Sequence, residues 1–258
     1  MQDLSAAHFD VWALDFMGYG GSDRYPEMKN VGTSGRPLLR AAEASRQIET
    51  AAMFISNKER VGKISVIAHS WGTFPAGMLA TRRPDLVDRL VLFGPPAPRH
   101  EAHNRSNEDQ PTPAWNVTIE AQRKRFFGYV PAGEQAVLSE SDMRLWGPAY
   151  LASDPNSPER TPPSVRVPYG PLADIDLAWS GKWVPYDPAQ IRSPTLIIRG
   201  EWDDVTKDAD ARWLFTRLRN APVWRDVVIS RGTHVMHLEQ SRFQLYREVQ
   251  TFLEDQKL

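Results

Sequence analysis

Ile64-Ser-Val-Ile-Ala-His-Ser-Trp-Gly72, followed by the helical pattern Thr73–Thr81, decides the fold. A β-branched apolar run reads as a buried strand. It ends on a serine, and a helix begins within a few residues. A serine on such a strand-to-helix turn is held sharply, so small neighbours are expected beside it, here Ala68 and Gly72. The Trp71 amide and the positive end of the helix would face a developing oxyanion. Ser-x-Gly alone arises by chance, and a serine that only caps a helix looks the same. The reading therefore depends on what the rest of the chain supplies.

Outward from this turn, short apolar runs alternate with helical patterns. Phe9–Asp15 reads as a strand, and Leu38–Asn57 as a helix. Leu90–Phe93, Thr195–Arg199 and Trp224–Ile229 read as further strands. Helices are predicted over Trp71–Arg83, Asp208–Arg219 and Ser241–Glu254. Near-continuous apolar strands separated by helices argue for an α/β fold, with a mostly parallel sheet covered on both faces.

The alternation stops between Pro95 and Asp187. Prolines cluster there (Pro155, Pro158, Pro162, Pro163, Pro168, Pro171), interspersed with Trp115, Phe126, Phe127, Tyr129, Trp146 and Tyr150. An unstructured loop of that length does not suit a compact domain. The stretch reads as a mostly helical cap, with helices over Asn116–Tyr129 and Glu134–Leu145. Its rings chiefly form a small core of their own, and some line a pocket where cap and body meet. The expected division is a body of 1–97 and 188–258 and a cap or lid of 98–187.

Two further segments carry chemistry. Gly200-Glu-Trp-Asp203 leaves the apolar run Thr195–Arg199, on the side where such sheets place their sites. Asp204 and Asp208 compete with Asp203, and any of the three could simply cap a turn. Val227-Val-Ile-Ser-Arg-Gly-Thr-His234 ends a strand, turns at a glycine and presents a histidine. Histidine titrates near neutrality, and a carboxylate on its other nitrogen would fix its tautomer. His237 has less reason to face the serine and reads as structural. The order Ser70, Asp203, His234, each after a successive strand, is the order this kind of fold uses.

Composition narrows the function. With 258 residues, a net charge of −1 and no apolar run of membrane-spanning length, nothing points to nucleic acid or a membrane as partner. The absence of cysteine excludes disulfides, thiolate catalysis and cysteine-bound metal. The N-terminus MQDLSAAHFD has no apolar signal-like stretch, so a cytoplasmic setting is expected.

With these residues in place, the chain resembles the α/β-hydrolase superfamily. Asp15-Phe-Met-Gly-Tyr-Gly-Gly-Ser-Asp23 is similar to the family's glycine loop after its fourth strand. Ala68-His-Ser-Trp-Gly72 resembles the nucleophile elbow, with alanine where glycine is usual. Pro194–Asp203 is similar to the segment that ends in the acid, which favours Asp203. Gly232-Thr-His-Val-Met-His-Leu-Glu239 resembles the histidine loop, with its first histidine catalytic. The resemblance implies Ser70 as nucleophile, His234 as base, Asp203 as orienting acid and the Trp71 amide as oxyanion donor. It calls for no cofactor and no metal. The substrate would be a small or medium, apolar or aromatic ester or lactone held beneath the cap. Amide cleavage (Glu134, Glu140 and Asp142 being candidate amine-holding acids), carbon–carbon bond hydrolysis and a non-catalytic binding role are the alternatives.

Two departures carry expectations. Family members place strands before the glycine loop, and the third, which lies inside the sheet, leads to a second oxyanion amide. Here Phe9 opens almost directly on the fourth. A late start, another segment in place of that strand or a rearranged variant would each account for this, and a start read too late is favoured. Without a replacement, unpaired ladder groups and exposed apolar faces are expected. Pro75, in the first turns of the elbow helix, either removes a regular bond or shifts the helix start.

Overall fold

The computed structural model describes residues 2–29, 31–99 and 112–255. In chain order its elements begin with α1 (Gln2–Ala6), α2 (Ala41–Glu59), β1 (Ile64–His69), α3 (Thr73–Arg82) and β2 (Val87–Phe93). Next come β3 (Ala114–Thr118), α4 (Ile119–Gly128), α5 (Glu140–Ala152), β4 (Ser164–Pro168) and α6 (Gly170–Trp179). The chain closes with β5 (Thr195–Gly200), α7 (Asp208–Phe215), β6 (Trp224–Ile229) and α8 (Arg242–Glu254).

The apolar runs with the fewest polar interruptions become the sheet's centre. β2 and β5 pair in parallel, with Val91 opposite Leu196 and Phe93 opposite Ile198. β1 flanks β2, and β6 flanks β5, giving the parallel order β1-β2-β5-β6. Side chains on the two faces feed two cores. One gathers Phe74, Leu79, Leu90, Leu92 and Ile197 under α2, α3 and α7. The other gathers Val91, Phe93, Ile198 and Phe252 under α8. Continuous hydrophobicity in the central strands reflects burial on both faces. The four strands of this sheet point their C-terminal ends to one rim, and that rim carries Ser70, Asp203 and His234.

The predicted strand over Phe9–Asp15 is not formed; the segment makes no ladder with any described strand. Between it and the outer edge of β1 lies a cavity of about 780 Å³, lined by Val11, Leu14, Phe16, Val66, Ile67 and Val249 among others. An extended segment needs a neighbour to become a strand, and this one faces open space. The expected consequence of an unreplaced strand is present. Ile67 on β1 is 47% exposed, and Trp12, Leu14 and Phe54 around it are exposed too.

Between β2 and β5 the described residues hold three helices, α4, α5 and α6, with much irregular chain, and include an antiparallel pair that periodicity did not show. Ala114–Thr118 pairs with Ser164–Pro168, Val117 standing opposite Val165. The helix predicted from Asn116 therefore starts at Ile119, where Thr118 accepts a cap bond from the Ala121 amide at 3.1 Å. The helix predicted over 134–145 moves to Glu140–Ala152. Ser139 caps it, accepting from the Asp142 amide at 3.0 Å, and it runs on through Pro148. In this region Trp146 stacks on Tyr150, the rings 4.6 Å apart, and Phe126 meets Trp146 edge-on at 5.2 Å. Part of the expected cap, residues 100–111, lies outside the described residues. No helix among the described residues is long and apolar enough to cross a membrane.

Candidate active site

Ser70 takes a left-handed backbone conformation (φ +55°). For a residue with a Cβ this is strained, and such positions persist only where their surroundings hold them. β1 fixes the chain up to His69. After it, Ser70–Gly72 makes one tight turn, and the regular helix begins only at Thr73. Thr73 donates its hydroxyl to the Ser70 carbonyl at 2.7 Å. This later start resolves the question of Pro75. It is the third helical residue, among the first four whose amides have no partner in the helix. The expectation for Gly72 fails. A Cβ there would meet nothing within 4 Å, because Gly72 borders the cavity beside β1.

The structure brings the three predicted side chains together. His234 Nε2 lies 2.8 Å from Ser70 Oγ. His234 Nδ1 lies 2.9 Å and 3.1 Å from the two Asp203 carboxylate oxygens. A carboxylate only accepts, so Nδ1 carries the proton and Nε2 is free to accept from the serine hydroxyl. Asp203 and His234 are buried. Burial works against charge on Asp203, but hydrogen bonds from His234 and Thr206 outweigh it and hold its carboxyl below the usual range. Partial desolvation of the Asp204 carboxyl, then the charge of Asp203 beside it, pushes its pKa up. Asp208 pairs with Arg199 instead. Of the three acids, only Asp203 bonds to His234.

Several supporting residues were not singled out from the sequence. Val205 and Thr206 donate their amides to Asp203 Oδ1 at 3.1 and 2.8 Å, and the Thr206 hydroxyl donates to Oδ2 at 2.6 Å. An Asp followed by Thr three positions later was the available signal. Gly94, at φ +53°, lets β2 end against the acid; a Cβ there would stand 3.1 Å from Asp203 Oδ2. Thr233 is held by the buried Glu239, which takes both its amide and its hydroxyl.

The acid loop and the histidine loop touch through two glycines. A Cβ on Gly200 would fall 2.0 Å from the Gly232 carbonyl oxygen, a backbone atom that cannot swing aside. Gly200→Ala is therefore expected to lower stability by about 1–3 kcal/mol and to part Asp203 from His234. Thermal melting together with a hydrolytic rate would show both effects. A wild-type rate would mean that the two loops do not depend on this contact.

His69 and His237 form a cluster behind the site. His69 donates from Nε2 to the His234 carbonyl at 2.8 Å and stacks on Phe93. His237 packs edge-on against His69, and its buried Nδ1 has no hydrogen-bond partner among the described residues. Burial, then the neighbouring His234, pushes the pKa of His237 down to about 4 from 6.5. The unfolded chain therefore takes up a proton that the folded one does not as pH falls from about 6.5 to 4. Stability should decline across that window by up to about 3 kcal/mol from this group. His69 is shifted in the same direction, by burial first. His237→Gln should flatten part of the fall in melting temperature; an unchanged profile would remove His237 as its cause.

Above the rim, the aromatic residues of α4 and α5 pack on the histidine loop. Phe126, Leu138 and Met143 form one cluster with Val235, joined at its edge by Tyr129 and Leu238. The Tyr129 ring lies 6.0 Å from that of His234. The Gln240 amide donates to the Val137 carbonyl at 3.1 Å.

A sequence model described as the alpha/beta hydrolase fold matches residues 1–241. This chain belongs to the α/β-hydrolase fold family. The coarse class, a hydrolase of this fold, follows from that membership. No curated protein sequence matches. Solved structures share the architecture at low identity. One is a monoacylglycerol lipase from Paleococcus ferrophilus, 17% identical with a TM-score of 0.58, covering 98% of this chain and 86% of that one. Another is the 2-hydroxy-6-oxo-6-phenylhexa-2,4-dienoate hydrolase of Rhodococcus sp., 16% identical, TM-score 0.61, covering 98% and 82%. A third is an esterase from Exiguobacterium antarcticum, 17% identical, TM-score 0.59, covering 93% and 80%. At these identities the likeness speaks to the fold.

Proposed function

We propose that this hydrolase cleaves small or medium, apolar or aromatic carboxylic esters or lactones through an acyl-enzyme on Ser70. The observation that carries the reading is the continuous bond path from Ser70 Oγ through His234 to Asp203. His234 takes the serine proton as Oγ attacks the substrate carbonyl. The Trp71 amide, in the tight turn that leads into α3, shares the negative charge on the carbonyl oxygen. The tetrahedral intermediate collapses, and His234 delivers its proton to the departing alcohol. Water, deprotonated by His234, then attacks the acyl-enzyme and frees Ser70. Asp203 holds the imidazole in the one tautomer that can do this. The chemistry asks for no metal and no cofactor.

Residues 98–187 serve in this proposal as the cap. The support is that the aromatic cluster around Phe126 and Tyr129 sits directly on the His234 loop. The partner is a small molecule rather than nucleic acid or membrane. Fractionation of a tagged chain tests the cytoplasmic setting expected from the sequence. A panel of short aromatic esters, lactones, aminoacyl arylamides and vinylogous diketones tests the bond type. Turnover confined to esters and lactones supports the reading. Preference for an arylamide or a diketone would replace it with amide or carbon–carbon hydrolysis on the same residues.

A further inference from the structure

Asp174 lies on α6, in the excursion between β2 and β5, and is 1% exposed. Its carboxylate accepts from three groups on two other segments of the chain. They are the Ala41 amide at 2.7 Å, the Arg40 guanidinium and the Trp71 indole Nε1–H at 3.0 Å. The first two account for it as an anchor for the start of α2. The third does not belong to that role. Trp71 is the residue after Ser70, and its ring is further set by an edge contact with Phe16, 6.2 Å between centroids.

We propose that Asp174 is a positioning residue for the nucleophile turn, acting through the Trp71 indole to hold Ser70 and the Trp71 amide in their reactive geometry. The inference rests on the serine-hydrolase reading above. Ser70 sits in a left-handed conformation that a serine does not keep unaided. Besides the Ser70 Oγ–His234 bond, two side-chain hydrogen bonds hold the turn Ser70–Gly72. Thr73 holds it from the helix side by bonding the Ser70 carbonyl. Asp174 holds it from the opposite side by the only polar atom of the Trp71 side chain. The amide that would face the oxyanion belongs to the same residue as that indole, so fixing the side chain limits how far the residue and its amide can shift. Displacements near 1 Å at a reacting centre can cost about 10²-fold in rate. The same carboxylate joins α6 to the turn, so the excursion that covers the site is wired to the group it covers.

The test compares Trp71→Phe, Asp174→Ala, their double variant and Arg40→Met. The readouts are the second-order rate of fluorophosphonate labelling of Ser70, kcat and KM on a short aryl ester, and thermal melting. Trp71→Phe keeps a ring and removes the indole N–H, leaving Asp174 its bonds to Arg40 and Ala41. It should lower the labelling rate and kcat about tenfold, with KM within about twofold. Asp174→Ala should do the same and also lower the melting temperature. In the Trp71→Phe background it should add less than twofold to the rate loss. Arg40→Met should lower the melting temperature and leave the labelling rate within about twofold. If Asp174→Ala does not fold, Trp71→Phe and Arg40→Met still decide. Wild-type labelling by Trp71→Phe, full additivity in the double variant, or rates that simply follow stability in all variants would each overturn the proposal. A wild-type chain that takes no label at Ser70 would sink the hydrolase reading instead. The indole proton resonance of Trp71, assigned by its loss in Trp71→Phe, then decides the present inference. It shifts in Asp174→Ala if the bond exists, and stays in place if Asp174 does not hold it.

Discussion

Ser70→Ala is expected to lower ester turnover by at least about 10⁴-fold, with substrate binding nearly unchanged. In the proposed mechanism the hydroxyl forms the covalent intermediate, and among the described residues it is the side-chain group bonded to His234 Nε2, on the side away from Asp203. Removing it leaves the imidazole, its orienting acid and the Trp71 amide in place. Residual rate would come from those groups acting on water. The substitution also removes only an oxygen from a strained position, so the fold should persist. Steady-state rates on an aryl ester, beside a melting curve, check both statements. An unchanged rate would end the account.

Asp203→Asn is expected to lower kcat by roughly 10³–10⁴-fold with little change in fold. The reason lies in what surrounds the carboxylate. Oδ1 receives two backbone amides, from Val205 and Thr206. Only an oxygen satisfies both, so the asparagine carbonyl must take that place. Its NH₂ is then left facing His234 Nδ1, where Oδ2 now accepts at 2.9 Å. An NH₂ donates, which moves the imidazole proton to Nε2 and removes the acceptor that Ser70 needs. Nitrogen-resolved resonance spectra of the imidazole would report the switched tautomer directly. A variant with normal kcat, or with an unswitched tautomer and a large loss, would mean that Asp203 acts in some other way.

The three residues on which these predictions turn were legible for a local reason. Ser70, Asp203 and His234 each follow an apolar run that becomes a strand end, so the pattern that reveals the sheet also marks its rim. What escaped the sequence depends on distant partners. Phe9–Asp15 has the composition of a strand, but a strand exists only with a neighbour, and periodicity does not report whether one is there. Asn116–Thr118, the end of β3, was absorbed into a predicted helix because the partner strand, Ser164–Pro168, lies some fifty residues away. Gly72 was assigned a steric duty that the open cavity beside β1 removes. Asp174 carried a faint signal, an acid inside the otherwise apolar Pro-Leu-Ala-Asp-Ile-Asp-Leu-Ala-Trp of α6. Its meaning needs the Trp71 indole, about a hundred residues earlier.

The cavity beside β1 reaches Phe16 and Gly72, the last residue of the nucleophile turn. The Trp71 amide is the oxyanion donor that the account assigns, and Asp174 is the group that keeps it there. Both serve one central claim, that Ser70 is the nucleophile. Incubation of the purified chain with a fluorophosphonate, followed by intact mass and peptide mapping, tests it most directly. The account predicts a single adduct per chain on the peptide that contains Ser70, absent from Ser70→Ala and formed much more slowly in Asp203→Asn. No adduct on the folded chain, or one that forms as fast in Ser70→Ala, would contradict it.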